Sequence, residues 1–227
     1  MNERGSDTPD RSSRSVRETY DRIASHFSST RAYPWPEVES FLETEAGRRR
    51  DSGTTIDRSI DVGCGNGRHS QLLSAYSRLV VGADVSVELL GEAALRADRE
   101  GFNAEWVCCD ATELPFGAGE FDVAVYVATI HHIRPRSSRL RSLDELARIL
   151  APDGRALVSA WSTAHDRFDA DTGFDTTIDW TLPGGERVPR YYHIYDPGEF
   201  EADLERSELR VIRSFVSSGN CYAVVGT

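Results

Sequence analysis

The spacing of apolar positions changes character along the chain. Residues 1–15 carry no apolar periodicity and read as a disordered arm, after which Val16, Tyr20, Ile23 and Phe27 recur at helical spacing. A second helix is expected after "YPWP", with Pro36 in its first turn and Val38, Phe41 and Leu42 as its stripe, ending in the polar "GRRRDSGTT". From Arg58 onward short β-like runs alternate with helical ones. Strands are expected near 58–63, 79–84, 104–109, 121–128 and 155–161, and helices near 67–76, 86–99 and 138–150. In the last of these helices Leu140, Leu143, Leu146, Ala147 and Leu150 share one stripe, which marks them as core, and "APDG" ends it. Beyond Trp161 the pattern is irregular to about residue 189, then "DPGEFEADLERS" reads as a helix and "LRVIRSFV" and "CYAVV" as an antiparallel hairpin.

Alternation of this kind implies an α/β fold: a doubly wound, Rossmann-like, mostly parallel sheet closed by an antiparallel C-terminal hairpin. Its length of 227 residues suits one domain. Residues 16–227 are expected to form it, with N-terminal helices over 16–50, a ligand-binding core over 56–162, and a loop and final strands over 163–227. No apolar run approaches a membrane span and the N-terminus is unlike a signal peptide, so a cytoplasmic protein with no membrane partner is expected. Cys64, Cys108, Cys109 and Cys221 form no CxxC pair and are expected as free thiols. All 26 basic residues are Arg, against 37 acids, for a formal charge of −11. Such a lysine-free acidic surface suits a high-salt cytoplasm of halophilic type, although drift from Lys to Arg gives the same composition.

The stretch "SIDVGCGNGRHS" carries candidate chemistry. The strand ends at Asp61, itself a candidate ligand-binding residue, and Gly63, Gly65 and Gly67 then allow the backbone to approach a ligand at a helix N-terminus. A dinucleotide turn spaces its glycines GxGxxG, whereas here the third arrives one residue early and Arg68 takes its place. Asp84 ends the next strand, where a carboxylate takes ribose hydroxyls. Asp110 and Ala111 follow the third strand, with Asp110 set to meet an adenine edge. Each alone is equally a capped turn; in register they describe a nucleoside-sulfonium site. The sequence thus resembles class I S-adenosylmethionine methyltransferases, which implies S-adenosyl-L-methionine as cofactor.

"VRETYDRIASHFSSTRAYPWPEVESFL", "VATIHHI", "LVSAWS" and "RYYHIYDPGEFEADL" together resemble the tRNA wobble-uridine carboxymethyl methyltransferase family across residues 16–225. The resemblance implies methyl transfer to the carboxylate of 5-carboxymethyluridine, or a close relative, in the tRNA anticodon loop. Arg31 and Arg190 are the candidates for holding that carboxylate, because a guanidinium fork matches it. His131 and His132 follow the fourth strand at the ligand-binding edge; on an extended segment one faces the cleft, and His131 is taken as an acceptor-positioning residue. No third ligand accompanies them, so no metal is expected. Tyr191, Tyr192 and His193, clustered with Tyr195, are candidates for holding an unstacked base, with Trp35 and Trp161 as cleft walls; a half-buried strand and plain core are the alternatives. One departure is "NCY", which puts Cys221 where the family tends to carry Trp. The resemblance also implies a small zinc-binding activator subunit on the edge strand at 103–109, a covering loop being the alternative. Two other functions remain open at this point: a small-molecule or quinone methyltransferase, and a non-catalytic methyltransferase-like subunit.

Overall fold

The computed structural model describes residues 11–227. Helix α1 (Arg11–Ser29) begins at Arg11, inside the segment expected to be a disordered arm. Its first turns contain no apolar residue, so periodicity cannot detect them; residues 1–10 of that arm lie outside the described residues. Helix α2 (Pro36–Asp51) has Pro36 in its first turn and buries Val38, Phe41 and Leu42 as expected.

Five parallel strands follow in alternation with helices: β1 (Ile56–Val62), β2 (Ser77–Asp84), β3 (Glu105–Cys108), β4 (Phe121–Val127) and β5 (Leu150–Trp161). Between them run α3 (Arg68–Leu73), α4 (Val87–Glu100) and α5 (Arg136–Ile149). Strand β5 starts earlier than expected because "APDG" does not break it. Leu150 pairs with Phe121 and Arg155 with Val123, so the segment between bulges out around Asp153, whose φ is 64°.

The segment expected to be irregular contains β6 (Phe174–Thr181), which pairs antiparallel with β7 (Arg187–Ile194) as a separate two-stranded sheet. In β6 inward and exposed positions alternate throughout, but Thr176 takes one of the inward ones, so the apolar alternation that signals a strand is interrupted. Helix α6 (Pro197–Arg206) leads to the expected hairpin, β8 (Arg210–Ser217) and β9 (Asn220–Gly226). Strand β9 pairs antiparallel with β5, giving the order β3-β2-β1-β4-β5-β9-β8 with β3 at one edge.

Period-two alternation sends successive strand residues to opposite faces, and each face has its own core. On one, Ile60, Val81 and Val158 pack with Leu143 and Leu146 of α5 and Phe200 and Leu204 of α6. On the other, Val80, Val125 and Leu157 pack with Val38 and Leu42 of α2 and Leu73 of α3. Helix α1 lies across α4 and β7 instead, at the carboxyl ends of the strands. Among the described residues no helix is long and apolar enough to cross a membrane.

Candidate active site

The turn after β1 is held by its neighbours before any ligand is considered. Gly63 and Cys64 both donate their amides to the Ala83 carbonyl, and the Gly65 amide donates to Asp84 Oδ2 at 2.8 Å. Gly63, Gly65 and Gly67 have φ of 71°, 54° and 74°, in the left-handed region that favours glycine. Their surroundings differ. A Cβ on Gly63 would collide with Thr129, and one on Gly67 would meet the Trp106 ring at 2.9 Å. At Gly65 the nearest atom would be Phe27 Cε1 at 3.5 Å, so this glycine keeps open space beside it.

Gly63 and Gly65 open onto a cavity of about 340 Å³ along the carboxyl ends of β1, β2 and β4. Asp84, Asp110 and Ala111 line one end, and Arg31, Trp35, His131, Trp161, Arg190 and Tyr192 also line it. Asp84 Oδ1 takes the Ser86 amide at 2.9 Å, and burial pushes its carboxyl above the usual range against these backbone donors. Asp110 Oδ1 accepts from the Thr112 amide and hydroxyl, both at 2.8 Å.

Four expected site residues do not line this cavity. Asp61 is buried behind the turn, where it accepts from Ser70 Oγ at 2.7 Å. Gly67 is spent on packing against Trp106 of β3 and Ala93 of α4. Tyr191 and His193 fall on the opposite face of β7 from Arg190 and Tyr192, as strand alternation requires. On that face the Tyr191 hydroxyl donates to Asp175 at 2.8 Å, while His193 is bonded to Asp175 at 2.7 Å and Glu199 at 3.0 Å. The cluster expected from "RYYHIY" is therefore two clusters, and Tyr195 belongs to neither cavity wall nor surface but is fully buried in the core.

The histidine pair also departs from expectation. His131 and His132 lie on a 3₁₀ turn, Ile130–His132, and not on an extended segment, so both rings line the cavity, 4.4 Å apart. The Trp161 amide donates to His131 Nδ1 at 3.0 Å. His132 is bonded to the Tyr191 carbonyl at 2.9 Å and to the Tyr20 hydroxyl at 2.7 Å. Burial is the largest cause holding both rings neutral: His131 lies well below the ordinary histidine range and His132 is lowered to about 3.

Arg190 is buried, with its guanidinium 4.8 Å from the Trp180 ring centre and 5.1 Å from that of Tyr192. Its Nε has no hydrogen-bond partner among the described residues. Arg68 also lines the cavity, its pKa lowered to about 10 by burial and then by the neighbouring charge of Arg31.

Tyr20 and Phe27, read from the sequence only as part of a helical stripe, are cavity wall, as are Asn66, His69, Thr129 and Asn220. The signal that would have found the first two is the placement of α1 over the strand ends, which no local pattern encodes. Cys221, the departure from the family pattern, packs into the core and does not line the cavity.

A family described as "Methyltransferase domain" matches residues 60–158. The tRNA (carboxymethyluridine(34)-5-O)-methyltransferase alkbh8 of Xenopus tropicalis is 37% identical over 148 residues, 65% of this chain and 21% of that protein. The chain thus spans about a fifth of that longer relative. The tRNA (carboxymethyluridine(34)-5-O)-methyltransferase of Schizosaccharomyces pombe is 29% identical, and the match covers 92% of this chain and 94% of that one. Among solved structures, an S-adenosylmethionine-dependent methyltransferase from Clostridium acetobutylicum has the same fold, with a TM-score of 0.69 at 15% identity over 91% of this chain and 98% of that one. The glycine turn, the sheet order and the matched segment agree: residues 60–158 carry a methyltransferase domain, in a chain that is similar to the tRNA (carboxymethyluridine(34)-5-O)-methyltransferases and has the fold of a solved S-adenosylmethionine-dependent methyltransferase.

Proposed function

We propose that the protein methylates the carboxylate of 5-carboxymethyluridine, or of a close relative, at the wobble position of tRNA. The observation that carries this reading is the placement of Arg190. Among the described residues the cavity is lined by the acids Asp84 and Asp110 and by the cations Arg31, Arg68 and Arg190; Arg31 and Arg68 lie close to the glycine turn, whereas Arg190 is buried against the rings of Trp180 and Tyr192. A carboxylate matches the planar fork of a guanidinium, and its charge offsets the cost of holding that cation in a buried wall.

The residues at the other end fit S-adenosyl-L-methionine. Each Asp84 oxygen accepts one backbone N–H and retains a second lone pair for a ribose hydroxyl. Gly65 leaves room for a close backbone approach, and Asp110 is available to an adenine edge. When bound, this cofactor supplies an electrophilic methyl group on a sulfonium. Arg31 and Arg190 orient the acceptor carboxylate, and Trp35, Trp161 and Tyr192 exclude water from it. The acceptor is already ionised at neutral pH, so positioning is the larger demand.

The tRNA relatives support the choice of acceptor. In this reading the protein works in the cytoplasm, and β3, which among the described residues stands at the sheet edge beside β2, receives a small zinc-binding activator subunit. The test is to incubate the protein, in molar salt and with labelled S-adenosylmethionine, with tRNA carrying the free acid, then digest to nucleosides. An alkali-labile methyl ester is the expected product. Label in an alkali-stable nucleoside, or only in a small molecule, would overturn the assignment.

A further inference from the structure

The two adjacent imidazoles are fixed in opposite tautomers by the backbone. An amide N–H only donates, so His131 Nδ1, which receives the Trp161 amide at 3.0 Å, is the bare nitrogen and Nε2 carries the ring proton. A carbonyl only accepts, so His132 Nδ1, at 2.9 Å from the Tyr191 oxygen, carries its proton, and Nε2 is bare. That bare nitrogen is in turn occupied by the Tyr20 hydroxyl at 2.7 Å. Both basic lone pairs are therefore already used.

The groups facing the pair keep it neutral. His131 sees His132 on its own turn and Arg190, Tyr192 and His193 of β7, with Trp161 of β5 beyond Tyr192; Tyr20 of α1 closes over His132. The charged neighbour is Arg190, which lowers both histidines, and burial acts in the same direction.

We propose that His131 offers its Nε2–H to the acceptor as a hydrogen-bond donor, and that this locked tautomer restricts the site to acceptors that are already ionised. The inference rests on the carboxylate reading above. In that reaction a carboxylate oxygen forms the new bond to the methyl carbon while the carbon–sulfur bond breaks and its electron pair stays on sulfur. The products are a neutral ester and a thioether, and no proton is released. An amine or phenol would release one, and neither histidine has a free lone pair to take it. Selection of the acceptor class thus comes from a nitrogen denied to the substrate by the main chain of β5.

The tautomers can be read without turnover, from imidazole 15N chemical shifts of the labelled protein, assigned with His131→Gln and His132→Gln. The expected result is a protonated Nε2 and bare Nδ1 at His131, with the reverse at His132. In kinetics His131→Gln keeps a donor near the Nε2 position, so activity on tRNA carrying the free acid should fall no more than about tenfold and remain flat from pH 6 to 9. His131→Leu removes the donor and should raise the acceptor KM about 10- to 100-fold with kcat and cofactor Kd little changed. A proton on His131 Nδ1 would overturn the proposal. So would a wild-type rate rising tenfold per pH unit below about pH 7, with that limb lost in the Gln variant. Failure of the wild type to form a methyl ester on any tRNA would instead remove the proposed function and leave the tautomer measurement standing.

Discussion

Arg31 and Arg190 are held against one indole: their guanidinium carbons lie 5.4 and 4.8 Å from the ring centre of Trp180. Trp180 is itself seated by α1, donating Nε1–H to His26 Nδ1 at 3.0 Å and packing with Ile23 and Val188. The two cations thus come from the segment after α1 and from β7, and β6 supplies the surface that brings them together.

Arg190→Lys keeps the charge but loses the planar fork stacked between Trp180 and Tyr192. The acceptor KM should rise at least about tenfold while the cofactor Kd moves less than about twofold. Steady-state kinetics with tRNA carrying the free acid, beside calorimetry with S-adenosylmethionine, checks this. For Arg31→Lys a larger change in cofactor Kd than in acceptor KM would move Arg31 to the carboxylate of the cofactor, beside Arg68.

Because Tyr192 lines the cavity and Tyr191 faces Asp175, their alanine variants should separate. Tyr192→Ala is expected to cost about tenfold or more in kcat/KM, in keeping with roughly 1–3 kcal/mol for an aromatic contact with a base. Tyr191→Ala should leave kcat/KM within about threefold. Equal losses in the same assay would refute the division of β7 into two faces.

Asp84→Ala removes the acceptor for the Gly65 and Ser86 amides as well as the expected ribose contacts. Calorimetry should show cofactor affinity reduced by about 100-fold or more, since hydrogen bonds to a charged group contribute roughly 1.5–3 kcal/mol each. Asp110→Asn, which preserves an acceptor for Thr112, should cost less.

At Gly67 an added methyl meets Trp106 Cη2 at 2.9 Å and Ala93 Cβ at 3.1 Å, at a φ of 74°. Gly67→Ala should lower stability by about 1–3 kcal/mol in denaturant titration. Combining it with Trp106→Leu should give less than the sum of the two single losses, because the collision is removed; strict additivity would place the strain in the backbone alone.

Asp61 supplies a pH signature. Burial is the main cause pushing its carboxyl up to about 7, against the Ser70 hydroxyl and Arg68, which lower it. The folded state then binds a proton that the unfolded chain has lost, so stability falls as pH rises from about 4 to about 7, by up to about 4 kcal/mol. Asp61→Asn keeps an acceptor for Ser70 and removes the titration. Measured at pH 5 and pH 8, its unfolding free energy should gain on the wild type at the higher pH, and a constant difference would contradict the assignment.

The glycine turn, Asp84 and Asp110 were legible in the chain because each belongs to a short strand-turn-helix unit whose geometry is local. The alternation of strands and helices likewise specified the sheet, since hydrophobic period and connection length are properties of consecutive residues. Which residues of these motifs face the cavity was not legible. Asp61 and Gly67 stand in the same motif as Gly63 and Gly65, yet Ser70 of α3 and Trp106 of β3 claim them, and those partners arrive only when helix and sheet pack. The aromatic cluster of β7 was visible as composition, but its partition into Arg190 and Tyr192 against Tyr191 and His193 depends on which face of a two-stranded sheet meets the 3₁₀ turn. The tautomers of His131 and His132 are the extreme case: the imidazole is symmetric in its chemistry until one nitrogen is engaged, and the groups that engage it, the Trp161 amide and the Tyr191 carbonyl, come from main chain on two remote strands.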